Sequence, residues 1–183
     1  MEAKKGRREM KKFELTTEFI TNALGKKLFR IKALVEFGSV KAGELGGYAE
    51  KEENISQDGN AWVSGDARVY GDAWVHGNAK VSDNAEVYGD AKVSDNAEVS
   101  GDAEVSGDAD YALVKGFGAE FRCTTFYRDK NKKIMVNCGC FHGDLEAFRK
   151  QVKETRSGKI AKEYLMIADL MEYHFTSEDS SDE

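Results

Sequence analysis

The chain has 183 residues, a hydrophobic fraction of 40% and a formal net charge of −6 at pH 7. This length suits one compact domain or two small ones, and the apolar fraction is sufficient for a soluble globular protein. No long apolar run and no signal-peptide pattern is present, and the three cysteines are an odd number. We therefore expect a reduced, cytoplasmic protein without a disulfide framework and without membrane contact.

The N-terminal residues 1–12 are strongly basic and contain almost nothing apolar, which predicts a disordered arm. Such an arm could contact nucleic acid. Its basic residues are Lys4, Lys5, Arg7, Arg8, Lys11 and Lys12. Residues 13–58 are predicted to form a β cap with a strand over 27–36. The glycine cluster at 43–47 lacks the spacing of a dinucleotide- or phosphate-binding loop, so it favours a turn leading into the next segment.

Nine hexapeptides then run without a break over residues 59–110, and each begins Gly or Asp, then Asp or Asn, then Ala. Val follows two residues after Ala in the first eight. Ala and Val at this spacing lie on the same side of an extended strand, while the Gly/Asp and Asp/Asn pair suits a turn. Each unit therefore predicts a short strand and a corner. The array predicts a solenoid in which every unit buries its apolar side against its neighbours.

The repeat resembles that of the hexapeptide-repeat proteins, and Val69-Tyr70-Gly71-Asp72-Ala73-Trp74 fits their frame. The resemblance implies a left-handed parallel β-helix with three hexapeptides per coil, hence about three coils here. Residues at the Asp/Asn position agree more often at a spacing of 18 than at 6 or 12, which also favours three sides. We therefore expect three columns, at about 4.8 Å per layer: Asn60 with Asn78 and Asn96, Asp72 with Asp90 and Asp108, and Tyr70 above Tyr88.

Residues 111–175 are predicted to form a C-terminal module of strands followed by two helices. The strands are expected over 111–118, 121–128 and 134–141, and the first helix is expected from Asp144 to Gly158. The second helix has a wide apolar stripe, which favours a homodimer through this module, with docking on the strands as the alternative. Residues 176–183 are predicted to be an acidic, disordered tail. The predicted fold class is thus mainly β with C-terminal α, a short β-helix capped on both sides.

The single histidine of the repeats raises the question of enzymatic chemistry. Many hexapeptide-repeat proteins are coenzyme A-dependent acyltransferases that use a histidine, so the resemblance raises that possibility for His76. This residue lies within a regular unit and no inserted loop interrupts the repeats, which favours a solvated surface residue. We predict no catalytic residue and no cofactor.

Three cysteines and a histidine in the C-terminal strands raise the question of a metal site. Cys138, Cys140 and His142 alternate along a predicted strand, and Cys123 lies in the predicted strand before it, which could be its neighbour. Residues two apart on a strand are separated by about 6.7 Å, too far to converge on one ion without a bulge. Buried structural thiols are the simpler interpretation, and we predict no metal.

Charged and aromatic residues provide the candidate binding surfaces. Acidic residues crowd the later repeats, which could let this end occupy a basic nucleic-acid-binding groove. Alternatively, Asp only serves the turns and Glu keeps the surface soluble. The predicted acidic face comprises Asp72, Asp83, Glu86, Asp90, Asp95, Glu98, Asp102, Glu104, Asp108 and Asp110. A second candidate surface, unless the cap covers it, comprises the aromatic residues Trp62, Tyr70, Trp74 and Tyr88.

In size and architecture the chain is also similar to phage-borne hexapeptide proteins and to type II anti-CRISPR proteins, which inhibit Cas9. This resemblance implies a non-enzymatic protein in the bacterial host cytoplasm that binds Cas9, or its guide-RNA complex, and hinders engagement of target DNA. The acidic face would compete for the basic channel or the PAM-reading surface, and the basic arm would touch DNA or guide RNA. The alternatives are an acyltransferase-like enzyme and a self-assembling β-helix.

Overall fold

A computed structural model describes residues 11–176 and begins with an antiparallel N-terminal cap. The cap consists of β1 (Phe13–Thr21), β2 (Lys27–Ala33) and β3 (Leu45–Ala49). A Cβ at Gly46 would lie 2.5 Å from the carbonyl oxygen of Val63, and one at Gly47 would lie 2.5 Å from that of Ala67. The glycine cluster therefore allows β3 to lie directly on the first coil, where it pairs in parallel with the solenoid.

The hexapeptides form a parallel β-solenoid with three sides, as the sequence predicts. Paired residues are 18 apart, as in Arg68 with Glu86, and the repeated Ala and Val side chains are buried inside. Side 1 contains β5 (Arg68–Val69), β8 (Glu86–Val87) and β11 (Glu104–Val105); side 2 contains β4 (Trp62–Val63), β7 (Lys80–Val81) and β10 (Glu98–Val99); side 3 contains β6 (Trp74–Val75) and β9 (Lys92–Val93).

Two of the predicted columns are visible as direct contacts. Asn60 Nδ2 donates to Asn78 Oδ1 at 3.0 Å, and Asn78 Nδ2 donates to Asn96 Oδ1 at 3.2 Å. The rings of Tyr70 and Tyr88 stack with centroids 5.2 Å apart. The predicted three-sided register is thereby confirmed at the level of individual side chains.

The C-terminal module is an antiparallel sheet covered by two helices. Leu145, Phe148 and Val152 of the first helix pack with Phe126 and Val136 of the sheet. Within residues 11–176, neither helix has the length and apolar character needed to cross a membrane. The elements are β12 (Tyr111–Val114), β13 (Thr124–Arg128), β14 (Ile134–Cys138), β15 (Phe141–Asp144), α1 (Leu145–Thr155) and α2 (Gly158–Thr176).

The helix boundaries follow local chemistry. Asp144 caps α1, since its Oδ1 accepts a hydrogen bond from the Ala147 amide at 2.8 Å. Gly158, predicted to end the first helix, instead opens α2 with a φ of 60°. The predicted strand over 134–141 is in fact the whole of β14, a turn at Gly139 and Cys140, and the first residue of β15. Period-two alternation continues across such a turn, so the sequence pattern alone hides it.

The last coil ends in backbone groups that have no further coil to pair with, and the ninth hexapeptide and the C-terminal module supply partners for them. On side 3, the Lys92 amide donates to Asp108 Oδ1 at 2.9 Å, and the Tyr111 hydroxyl donates to the Lys92 carbonyl. At the corner that precedes β11, the Lys130 amide donates to the Asp102 carbonyl at 3.0 Å. These contacts protect an open sheet edge that would otherwise favour intermolecular pairing.

Candidate binding groove on the solenoid

Side 2 of the solenoid forms the floor of a groove with a volume of about 710 Å³, which we call the side-2 groove. Its end walls are the cap loop at 38–40 with Glu44, and the C-terminal residues Asn137 and 139–142. Because the register repeats every 18 residues, equivalent side chains of successive coils stack into columns, and the floor consists of three such columns. Within a column, neighbouring residues are about 4.8 Å apart along the solenoid axis. These columns are Asn60-Asn78-Asn96, Trp62-Lys80-Glu98 and Ser64-Ser82-Ser100.

Carboxylates outnumber ammonium groups in the groove. Glu44, Asp83 and Glu98 line it, against the single ammonium group of Lys80. Lys80 Nζ lies 3.5 Å from Glu98 Oε1, and both side chains remain well exposed. Asp83 also shapes the floor, since its Oδ2 accepts a hydrogen bond from the Gly101 amide at 3.0 Å. The groove therefore presents the amide and hydroxyl groups of its Asn and Ser columns, and its carboxylates give it a net negative charge.

A polar network holds the C-terminal wall against the floor. Ser100 Oγ lies 3.2 Å from His142 Nδ1 and 3.3 Å from the Tyr127 hydroxyl, and it accepts a hydrogen bond from Asn137 Nδ2 at 3.0 Å. Burial raises the pKa of Tyr127, which keeps its phenol neutral. A serine-histidine contact can activate a nucleophile. Here the serine oxygen also holds the wall, so the network has a structural role that the sequence pattern does not reveal.

The groove continues toward the C-terminal module. An adjoining depression shares Asn96, Glu98 and Gly139 with the groove and is also lined by Arg122. Arg122 in turn lines a pocket beside the helices. The cap, the solenoid and the C-terminal module therefore contribute to one concave surface.

The predicted acidic residues are distributed around the solenoid and do not form one face, because successive repeats lie on successive sides. Glu86 and Glu104 lie on side 1, whereas Glu98 lies on side 2. Asp83 and Asp108 accept backbone hydrogen bonds, and Asp90 and Asp95 belong to corners. Five carboxylates are held in ion pairs, Asp72 with Lys51, Glu86 with Arg68, Glu98 with Lys80, Asp102 with Lys130 and Asp110 with Arg128.

Most of the predicted aromatic surface is covered. Trp62 is only 5% exposed, and its ring packs edge-on against Phe37 of the cap, with centroids 5.4 Å apart. Tyr70 is also buried, and its hydroxyl donates to Glu86 Oε2 at 2.9 Å. Trp74 remains 41% exposed and stacks on His76. The expectation that Trp62 and Tyr70 are available for contact is therefore wrong, because the cap and the coil above cover them.

Only the last two basic residues of the predicted arm, Lys11 and Lys12, lie within the described residues. Lys4, Lys5, Arg7 and Arg8 lie outside the described residues. Lys11 Nζ forms an ion pair with Glu52 at 2.7 Å. Lys12 is 4% exposed, and its Nζ donates to the Ala61 carbonyl at 2.9 Å. Lys12 is therefore part of the folded cap and is not available to nucleic acid.

The candidate ligands of a metal do not converge. Cys138 ends β14 while Cys140 lies in the following turn, so the predicted alternation along one strand face is wrong. The three cysteines are free thiols. Over residues 11–176, no group of three or more His, Cys, Asp or Glu side chains is placed to hold an ion.

The fold defines a β-solenoid protein whose two coil ends are covered. Comparison with protein families agrees at this level: a family model described as the YdcK beta solenoid repeat matches residues 61–77. The match covers only part of the repeat region and supports the repeat architecture alone. A search of curated proteins found no match.

Proposed function

We propose that the protein is a non-enzymatic binding protein that seats a basic segment of a macromolecular partner in the side-2 groove. The observation that carries the proposal is that three parts of the chain build one walled, concave surface with more carboxylates than ammonium groups. A volume of about 710 Å³ is within the usual range for ligand sites. The adjoining depression extends this surface toward the C-terminal module, which favours an extended partner segment over a small molecule.

The finer proposal is that the partner is Cas9, alone or with its guide RNA, in the cytoplasm of a bacterial host. Two things support it: the resemblance to type II anti-CRISPR proteins, and the charge of the groove. A channel that binds closely spaced phosphates is basic, so Glu44, Asp83 and Glu98 complement it. Occupation of that channel would hinder engagement of target DNA.

The rival functions have less structural support. Stacking of coil ends into filaments would have to displace the cap and the C-terminal module, which occupy both ends. An acyltransferase site at His76 has less support because the depression that this residue lines with Lys92 and Ser94 is not enclosed by any loop inserted between the repeats. The imidazole also stacks on Trp74, with ring centroids 4.0 Å apart.

The repeats offer a matched pair of variants. The sequence from Ala79 to Val87 is identical to that from Ala91 to Val99, but Ser82 faces the groove while Ser94 follows the strand on side 3. Both serines are half-buried. Ser82→Arg therefore places a bulky cation in the groove, and Ser94→Arg makes the same change in the same local sequence outside it.

The experiment is a Cas9 DNA-cleavage assay with increasing amounts of wild-type protein, Ser82→Arg and Ser94→Arg. We expect inhibition by the wild type and by Ser94→Arg, and about tenfold weaker inhibition by Ser82→Arg. No inhibition at molar excess, across several Cas9 types, would rule out the finer proposal. The groove is tested separately by titration with a fluorescent oligolysine peptide, and equal binding by the two variants would contradict its role.

A further inference from the structure

A second pocket, with a volume of about 180 Å³, lies in the C-terminal module beside the turn between β14 and β15. Its apolar lining includes Phe141, Phe148 and Val152, while α1 and α2 supply polar groups at its rim. A cavity of about 150 Å³ accommodates benzene, so this pocket has room for one ring-sized group. The polar groups that line it are Glu120, Arg122, Gln151, Thr155, Arg156 and Tyr164, together with the thiols of Cys138 and Cys140.

Arg122 and Arg156 differ from the other arginines of residues 11–176. Arg30, Arg68, Arg128 and Arg149 each have a carboxylate oxygen within 4.0 Å. Neither Arg122 nor Arg156 forms such an ion pair with any described residue, although Glu120 lines the same pocket. Two guanidinium groups thus line one small pocket in a protein whose net charge is −6. With a single carboxylate at the rim, the pocket itself is positively charged.

The surroundings hold both arginines near the pocket. A Cβ at Gly139 would lie 2.5 Å from Arg122 Nη1, so the guanidinium packs over the glycine of the turn. Arg156 follows the last residue of α1, and its Nη1 donates to the Thr155 carbonyl at 3.4 Å. Burial raises the pKa of Tyr164, while Arg156 and Arg122 act in the opposite direction. The neutral phenol therefore lies within electrostatic reach of both guanidinium groups.

We propose that this pocket binds a small organic oxyanion, with its carboxylate or phosphoryl group between Arg122 and Arg156 and a ring-sized apolar body on Phe141, Phe148 and Val152. Guanidinium groups bind planar or tetrahedral oxyanions with paired hydrogen bonds, which is the reason for this choice of head group. Both carboxylate and phosphoryl groups supply that chemistry. The site shares Phe141 with the wall of the side-2 groove, but neither arginine lines that groove, so the existence of the site does not depend on the proposed function.

The test is an NMR titration of the full chain at constant ionic strength with benzoate, phenyl phosphate and the neutral analogue benzamide. We expect saturable shifts of amides in α1 and in the β14–β15 turn with at least one of the two anions. Benzamide should bind about tenfold more weakly, a difference of about 1.4 kcal/mol. The stronger of the two anions identifies the head group.

Variants connect the binding to the two arginines. Arg122→Gln and Arg156→Gln should each weaken binding of the preferred anion by about tenfold, and since both side chains are exposed, both variants should fold. Lys153→Gln, which removes an exposed positive charge from α1 outside the pocket lining, should bind as the wild type does. The proposal is overturned if no anion binds saturably up to roughly 20 mM, if benzamide binds as well as benzoate, or if both arginine variants retain full affinity.

Discussion

Lys12 shows how one buried ammonium group ties the N-terminal strand to the solenoid. Its Nζ donates to the Ala61 carbonyl and lies 3.4 Å and 3.5 Å from the carbonyls of Asp58 and Gly59. The ring of Phe37 is 4.9 Å away. These carbonyls satisfy the ammonium group without neutralising it. Burial therefore lowers the pKa of Lys12 from 10.5 to about 8, although the Asp58 carboxylate partly opposes the shift.

The lowered pKa predicts a stability that rises with pH. Between about pH 8 and 10.5 the unfolded chain holds the Lys12 proton more tightly than the folded protein does, so deprotonation favours folding. From pH 7 to 9.5 the free energy of unfolding should rise by about 2 kcal/mol in the wild type relative to Lys12→Met. Urea unfolding of both proteins at the two pH values measures this difference. An identical pH dependence in the two proteins would contradict the assignment.

At the scale of elements, the side chains of Thr125 and Asn137 form the hydrogen bonds with the last coil that the backbone of a further strand would otherwise form. The Glu98 amide donates to Thr125 Oγ1 at 3.0 Å, and the Glu98 carbonyl accepts a hydrogen bond from Asn137 Nδ2 at 2.7 Å. Thr125 and Asn137 lie on adjacent strands and are themselves paired. The β13–β14 pair thus satisfies a donor and an acceptor of side 2 and also positions the wall of the groove.

Thr125→Val should destabilise the protein because it leaves the Glu98 amide without an acceptor at nearly unchanged volume. The expected loss is about 1–3 kcal/mol in the free energy of unfolding, with faster hydrogen exchange at the Glu98 amide. Thr124→Val is the matched control: Thr124 is equally buried, but its hydroxyl donates only to the Cys138 thiol, at 3.1 Å. Equal losses in the two variants would show that the edge contact has no special role.

The period of the sequence predicts the solenoid and its sides well, because burial of Ala and Val at a fixed spacing leaves few alternatives. The groove could not be predicted in the same way. Its C-terminal wall depends on where the module docks around the axis, which is decided by single contacts such as Ser100 with His142. Likewise, the burial of Trp62 depends on Phe37, which lies outside the repeats. Such contacts between non-periodic segments have no signature in the pattern.

At the scale of the whole molecule, the wide apolar stripe of α2 docks on the C-terminal sheet, since Ile167, Met171 and Phe175 share a buried cluster with Phe126 and Val136. This is the alternative to a dimer that the sequence left open.

The homodimer stays a prediction and would use a different face of the helix. Met166, Leu170 and Tyr173 are exposed and spaced so that they share one helix face. The charges of α2 do not by themselves favour a second copy, because Asp169 and Glu172 are ion paired with Arg149 of α1 and Lys159 is paired with Glu163. A dimer about a twofold axis would instead rest on burial of the exposed Met166 and Leu170 against their copies.

Light scattering of the purified protein tests this arrangement. We expect the wild type at twice the chain mass of 20.3 kDa, and Leu170→Glu at the mass of a monomer because it places a charge within that exposed face. Leu24→Glu changes another exposed leucine, in the loop between β1 and β2, and should leave the dimer intact. A wild type that stays at the mass of one chain over a wide concentration range would show that the prediction is wrong.

Because each coil contains 18 residues, every hexapeptide turns the chain by one third of a coil. The number of hexapeptides therefore decides on which side of the solenoid the C-terminal module lies. Loss or gain of one hexapeptide would still bury every Ala and Val, but it would rotate all later residues by a third of a turn and carry Asn137 and His142 away from side 2. Gain of three hexapeptides would restore the direction and lengthen the groove by about 4.8 Å. Tandem duplications in a lineage of such chains can therefore preserve the groove only in whole coils, even though selection for the core alone would tolerate any number of repeats.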